Sequence, residues 1–490
     1  MIKQVAALPY ARRVWQIVRH SPLIAIGGVN GIMLVVSVAM SLITVRVLPK
    51  EDYGHLVYFY AGFGMLRLLM NFGLGMNISR DVAAQVRQPE RLRVIVYSSV
   101  ALRFIATGTV LVALGVLAAA TSQPYLEYIA AAAFFASLAD LIFSLITGLR
   151  ITRAIGLMTA VQPISYAVMI FALTVIRQTR SEIFMLAYVV SFVLMLALGV
   201  VLVVRSGQIP APDRQSLRLS YIFPALGFAI PVYLGTLTSQ GWSSFTGGIL
   251  GWRGEFEQAA EFGVAFNLIS MVISISAPTL VTTFFPQVSH LFGLGNMPRL
   301  MNYIRSTFTV LIYGFIFIAV ALLSFPETIV SLLFSDAYRT SAAYLMVVAP
   351  VVIFMGVTPI FTLTQIAIGR PWWSVFGLAV QLVVMMVIVL TGGAFIDPMR
   401  LSWATLISTL VGLLMQVVLL SRHLKFNFLP AGLPQMLIIA LIAVIMLRAL
   451  QTTIGVDLSI WHFVLGGAFT GVYWFGVMRT GDWSWLKSAT

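Results

Sequence analysis

The sequence predicts an all-α polytopic membrane protein of about 14 transmembrane helices, built as two pseudo-symmetric six-helix lobes with two extra C-terminal helices. Three observations predict it. Apolar runs of roughly 20 residues, enough to cross the hydrocarbon layer, recur along the whole chain. Charge is scarce: 9% of the 490 residues are charged and 60% are hydrophobic, where a soluble domain carries about a quarter charged. Finally, loop features at the entry and exit of the second span return at the eighth.

The first 22 residues, "MIKQVAALPYARRVWQIVRHSP", are basic and mildly amphipathic. The apolar stretch behind them is too long for a signal-peptide core and reads as a retained first span. Spans are expected near 23–48, 54–76, 94–120, 126–148, 155–176, 183–204, 222–250, 262–284, 305–325, 341–366, 373–395, 401–421, 433–455 and 459–478. With the N-terminus inside, 20 of the 30 Lys and Arg fall on the cytoplasmic side and 7 outside. The other three are Arg67, Arg103 and Arg448, within spans. The positive-inside rule then places both termini in the cytoplasm. The net charge of +14 is mostly topology, so nucleic acid is not expected as a partner.

Several function classes are excluded by what the chain lacks. It has no cysteine, hence no disulfide framework or thiolate metal site. His20, His55, His290, His423 and His462 are scattered, none at ligand spacing with a carboxylate. There is no phosphate-binding glycine loop with its lysine. No connecting segment is long enough for a soluble catalytic domain, as a membrane polymerase or ligase would need. Neither an enzyme nor a cofactor or metal site is expected.

The organisation follows from the repeat. "EDYGHLVYFYAGF" opens span two and "AEFGVAFNLISMV" opens span eight, which aligns Asp52-Tyr53-Gly54 with Glu261-Phe262-Gly263. The acid is expected to cap its own helix, and the glycine to let neighbouring helices approach. The exits "NISRDVAAQVRQPERL" and "PQVSHLFGLGNMPRL" correspond as well. The expected divisions are a cytoplasmic N-terminus (1–22), an N-lobe of spans one to six (23–204), a polar linker (205–220), a C-lobe of spans seven to twelve (221–428) and spans thirteen and fourteen with the tail (429–490). An even number of spans per copy gives both lobes the same orientation.

The stretch "VRVLPKEDYGHLVYFYAGFGMLRLLMNFGLGMNISRDVA" resembles the first hairpin of bacterial polysaccharide flippases. "FFPQVSHL" and "PETIVSLLFSDAYRTSAAYLMVVAP" resemble their eighth span end and their segment between spans nine and ten. The chain thus resembles the polysaccharide transporter (O-antigen flippase-like) branch of the multidrug/oligosaccharidyl-lipid/polysaccharide superfamily. Pro49 stands where that pattern has a glycine. The resemblance implies movement of an undecaprenyl-pyrophosphate-linked oligosaccharide from the cytoplasmic to the outer leaflet of the bacterial inner membrane. Membrane lipids, and a polysaccharide polymerase and chain-length proteins, would be its partners.

Against that background the charged residues within spans matter. Arg67, Arg103 and Asp140 lie at a similar depth, about 12–14 Å from the cytoplasmic edge. A charge facing lipid there costs roughly 2.5–3.5 kcal/mol, so a shared polar interior is expected. Asn71 and Tyr60 share the Arg67 face, Ser99 and Thr107 the Arg103 face, and Ser137 and Ser144 the Asp140 face. One reading is a cationic cavity in which Arg67, Arg103 and Asn71 meet a pyrophosphate, since guanidinium binds phosphate bidentately. The other is a structural Arg–Asp pair locking spans two to four. Asp140 is also the candidate for a coupling ion or proton. Gln240, Asn267, Gln365 and Ser270 are candidates for binding sugar hydroxyls. Arg448 reads as snorkelling to the outer end, Trp242, Trp372 and Trp373 as interface anchors, and Pro224, Pro231, Pro278, Pro350 and Pro359 as kinks in spans seven, eight and ten. The competing functions are a cation-coupled multidrug antiporter of the same fold, which would prefer a carboxylate-rich cavity, and a scaffold of a polysaccharide assembly complex.

Overall fold

The computed structural model describes residues 22–121, 123–211, 213, 219–391, 396–425, 430 and 432–454. The expected fourteenth span, 459–478, lies outside these residues. Among the described residues the chain is helical throughout. In order the helices are α1 (Pro22–Val47), α2 (Lys50–Asn71), α3 (Leu74–Gln85), α4 (Pro89–Ala120), α5 (Leu126–Gly148), α6 (Thr152–Val175), α7 (Ser181–Ser206), α8 (Leu219–Trp252) and α9 (Phe256–Thr279). A π-helical turn at Leu280–Phe284 follows, then α10 (Phe285–Gly293), α11 (Met297–Ser324), α12 (Pro326–Leu333), a 3-10 turn at Asp336–Tyr338, α13 (Ser341–Val348), α14 (Val351–Ala367), α15 (Pro371–Leu390), α16 (Pro398–Leu424) and α17 (Leu433–Ile454). Of the described helices, 8 are long and apolar enough to cross a membrane, or 9 if the bent pair α13 and α14 is one span.

Each of the first thirteen expected spans coincides with one helix or with a broken pair. The breaks have local causes. α2 stops where Phe72 (φ 47°) and Gly73 (φ 66°) both turn left-handed, and the Phe72 N–H closes on the Leu68 carbonyl. α13 and α14 meet at a 40° bend at Ala349–Pro350, where proline cannot donate to the preceding turn. The sequence correspondence between the exits of spans two and eight is visible too. α2 breaks, gives the short α3, and α4 starts at Pro89. α9 passes through the π turn, gives the short α10, and α11 starts with Pro298 in its first turn. A proline suits that position because its missing N–H would be unpaired there anyway.

The chain packs as two compact units. Of the described residues, the first holds those up to Asp52 together with those of Phe59–Thr236, and the second holds Tyr53–Tyr58 together with those from Leu237 on. In the first unit α5 is central. Leu141 and Leu145 of α5 and Leu149 just past its end are buried with Leu74, Ile78 and Val82 of α3 and with Leu92, Ile95 and Val96 of α4. Ser79 Oγ donates to the Ser144 carbonyl at 3.0 Å. On α4 the outer face carries Ile105, Val112 and Val116, all more than 60% exposed. Such a face suits lipid, and the backbone behind it is satisfied within its own helix.

In the second unit, helices come close at glycines. A Cβ at Gly54 would stand 1.9 Å from the Phe256 carbonyl oxygen, and one at Gly263 would stand 2.7 Å from Val57. The triplet glycines therefore do permit close approach, as expected. α15 and α16 interlock reciprocally. Gln416 lies over Gly377, and Gln381 lies over Gly412, each glutamine four residues beyond the glycine of its own helix.

Two expectations are corrected. The acids do not cap their own helices. Asp52 Oδ1 accepts from the Ser181 N–H at the start of α7 (3.2 Å). Glu261, a turn and a half inside α9, accepts from Thr340 Oγ1 (2.6 Å) and the Tyr344 hydroxyl (3.2 Å). Arg448 donates to the Leu323 carbonyl (3.1 Å) and pairs with Glu327 (3.3 Å). Trp242 is no interface anchor, being 2% exposed with its indole N–H on Ser408 Oγ at 3.0 Å. In each case a polar group met a nearby partner instead of water.

Gly54→Ala is expected to destabilise the protein by about 1–3 kcal/mol, because the carbonyl it would strike is backbone and cannot turn aside. Gly314→Ala, with nothing within 4 Å of the new methyl, is the control and is expected to melt no lower than wild type. Thermal unfolding in detergent measures both.

Candidate functional site

Three helices of the first unit bring polar residues to one place. α2 supplies Arg67 and Asn71, α4 Arg103, and α5 Ser137 and Asp140. The Arg67 guanidinium grips Asp140 bidentately, Nε to Oδ2 at 2.8 Å and Nη2 to Oδ1 at 2.7 Å. Asn71 Nδ2 donates to Asp140 Oδ2 at 2.8 Å. The other end of the same amide, Oδ1, accepts from Arg103 Nη1. Asn71 is therefore a relay: its amide orientation is set by a carboxylate on one side and a guanidinium on the other.

α2 ends at Asn71, and this is what makes the relay possible. The left-handed turn at Phe72–Gly73 ends the helix and leaves its last carbonyls without partners from a following turn. Arg103 Nη1 meets one of them, the Met70 carbonyl, at 3.3 Å, and also reaches Ser137 Oγ at 3.4 Å. A cation at a helix C-terminus is favoured by the helix dipole. That offsets part of the cost of burying a guanidinium that is 0% exposed. The offset is incomplete. Arg103 Nε and Nη2 are enclosed without partners, as is the hydroxyl of Thr107 one turn further along α4.

The two arginines differ in access. The Arg67 side chain is 36% exposed and Asp140 20%, whereas Arg103 is sealed. With two arginines and one aspartate, the cluster carries one excess positive charge. Aromatic rings close in on Arg67. Its guanidinium carbon lies 5.7 Å from the Phe63 ring centre and 5.5 Å from that of Phe192, within cation–π range. Tyr188 stands edge-on to both rings, at 5.1 and 5.2 Å. Beside it, the hydroxyls of Tyr60 and Tyr166 meet at 2.5 Å.

The second-unit candidates do not join one another. Asn267 Nδ2 faces the Tyr53 hydroxyl at 3.5 Å. Gln365 is fully buried and donates to the Gln416 carbonyl at 3.3 Å. Gln240 is half-buried on α8. No hydrogen bond links any two of the three among the described residues. No group of three His, Asp or Glu residues suited to a metal ion occurs among the described residues either.

Replacing Asn71 by leucine removes one partner from each of two charged groups. The expected cost is about 1–3 kcal/mol. If the relay carries that cost, Arg103→Met should be far less damaging in the Asn71→Leu background than alone. A double-mutant cycle on thermal stability reads the coupling.

Comparison with known proteins gives the site its setting. The chain is similar in structure to the lipid II flippase MurJ in an inward closed conformation, with TM-score 0.66 and 13% identity over 93% of this chain and 99% of the other. It is similar to a multidrug resistance MATE family transporter of the MOP superfamily in its inward-facing conformation, with TM-score 0.61 and 13% identity over 80% and 95%. The outward-facing conformation of such a transporter gives TM-score 0.55 at 15% identity over 84% and 97%. At these identities the likeness is one of fold. No curated protein matches in sequence. The family described as polysaccharide biosynthesis protein matches residues 23–292. That match spans more than half of the chain, including every residue of the Arg67–Asp140 cluster, so this multi-span membrane protein belongs to the polysaccharide biosynthesis protein family.

Proposed function

We propose that the protein is a flippase. It carries a lipid-linked oligosaccharide on an undecaprenyl pyrophosphate anchor from the cytoplasmic to the outer leaflet by alternating access, for export of a cell-surface polysaccharide. The observation that carries this reading is the cluster itself. A guanidinium with an accessible face is held at mid-span, in surroundings with one positive charge in excess. A pyrophosphate that must cross the apolar layer needs such a group, because its desolvation has to be met by donors inside the protein. The sugar would find the tyrosines Tyr60, Tyr166 and Tyr188 nearby. The family assignment and the flippase fold agree with this. In the cell the protein would sit in the bacterial inner membrane with both termini cytoplasmic, alongside a polymerase and chain-length proteins.

The MATE likeness favours a second reading, a cation-coupled multidrug antiporter. The first unit argues against it. Its one mid-span carboxylate, Asp140, already accepts three hydrogen bonds from Arg67 and Asn71, which leaves little for a cationic drug or a coupling ion.

Reconstitution in proteoliposomes with a fluorescent undecaprenyl-pyrophosphate oligosaccharide tests the proposal. Wild type is expected to flip it, and Arg67→Ala to slow flipping roughly tenfold to a hundredfold, the loss of about 1.5–3 kcal/mol of charged hydrogen bonding. No flipping by wild type across several sugars would overturn the reading. Orientation is checked separately, helped by the natural absence of cysteine. A membrane-impermeant thiol reagent added to intact cells is expected to label Thr179→Cys and to spare Arg87→Cys.

A further inference from the structure

A guanidinium has two in-plane edges that can each hold a pair of oxygens, one formed by Nε and Nη2 and the other by Nη1 and Nη2. In Arg67 the first edge is taken by Asp140. The second is not. Nη1 makes no hydrogen bond among the described residues, and it is absent from the enclosed, partnerless groups, which do include two nitrogens of Arg103. The plane of the guanidinium is constrained as well, by the rings of Phe63 and Phe192 and by Tyr188 packed against both. Asp140 in turn cannot rotate freely, since Asn71 holds its Oδ2 and Asn71 is itself held by Arg103.

We propose that Asp140 is a positioning residue for an anion-binding fork. With Asn71, Phe63 and Phe192 it fixes Arg67 so that the Nη1–Nη2 edge is presented to two oxygens of a phosphate or pyrophosphate group. On this view the ion pair and the binding site are not alternatives, because one guanidinium serves both through different edges. The excess positive charge contributed by Arg103 lets the cluster accept an anion beside the Arg67–Asp140 pair. The proposal rests on the reading of the protein as a carrier of a pyrophosphate-linked lipid, and it names the atoms that would meet the headgroup.

The test uses the full-length protein in nanodiscs of phosphatidylcholine, with inorganic pyrophosphate titrated calorimetrically. Simple electrostatics says that Asp140→Asn, by removing a negative charge, should tighten anion binding. Positioning says the opposite: Asp140→Asn is expected to weaken pyrophosphate about tenfold, while chloride, which needs charge but no paired donors, binds no worse. Arg67→Lys, which keeps the charge and loses the fork, is expected to weaken pyrophosphate by a similar factor. Phe192→Leu, which removes one ring and no polar contact, is expected to weaken it severalfold, and it decides the matter if Asp140→Asn does not fold. Tighter pyrophosphate binding by Asp140→Asn would mean that the carboxylate competes with the anion for Arg67, and would overturn the proposal. Unchanged binding in both Arg67→Lys and Phe192→Leu would overturn it too, as would a wild type that binds no pyrophosphate. Flipping of the lipid by that same wild type would leave the transport reading intact. The expected binding pattern in a protein that flips nothing would keep the fork and remove the flippase.

Discussion

Ionised groups far from water must satisfy one another, and that constraint shapes the first unit. Three charges at mid-depth cannot each be paid for separately at several kcal/mol. They are gathered instead into one network, where Arg67 meets Asp140, Asp140 meets Asn71, and Asn71 meets Arg103. The break in α2 belongs to the same solution. Continuing the helix would have carried Asn71 deeper into regular hydrogen bonding and covered the Met70 carbonyl that Arg103 now uses. A turn that looks like a local defect is what anchors the most deeply buried cation of the described chain.

Elsewhere the packing is governed by close approach. Without a difference in polarity between lipid and side chain, helices in a membrane associate through shape and occasional hydrogen bonds. The second unit shows both. Gly54 admits a neighbouring backbone, and the reciprocal Gly377–Gln416 and Gly412–Gln381 contacts place a polar amide in the notch that each glycine leaves. The Gln416 amide is held by a backbone carbonyl, its Nε2 donating to that of Ser374 at 3.0 Å.

Much of this was legible in the sequence. Hydropathy located the helices, because one rule, length against apolar thickness, decides them. Depth counting brought Arg67, Arg103 and Asp140 together, and helical spacing put Asn71 and Ser137 on the right faces. What could not be read was which group bonds which. Helical spacing says that Asp52 and Glu261 begin or line their helices. It does not say that Ser181 and Thr340, far away in the sequence, come within reach of them. The aromatic surround of Arg67 was missed for a similar reason. Phe192 and Tyr188 look like any apolar helix residues until α7 is docked beside α2. Trp242 was misplaced because tryptophan is amphipathic, and its preference for an interface yields when a buried hydroxyl can take its N–H.

The order of the charges along the chain has a consequence for biogenesis. The two cations come first, on α2 and α4, and the aspartate that neutralises one of them arrives last, on α5. During synthesis, Arg67 and Arg103 emerge from the ribosome before any anion at their depth exists. Arg103 can meet Asn71 and the Met70 carbonyl as soon as α2 and α4 are both made, whereas Arg67 gains its carboxylate only when α5 has followed. The last helix of the cluster to be made is therefore the one that completes its ion pair.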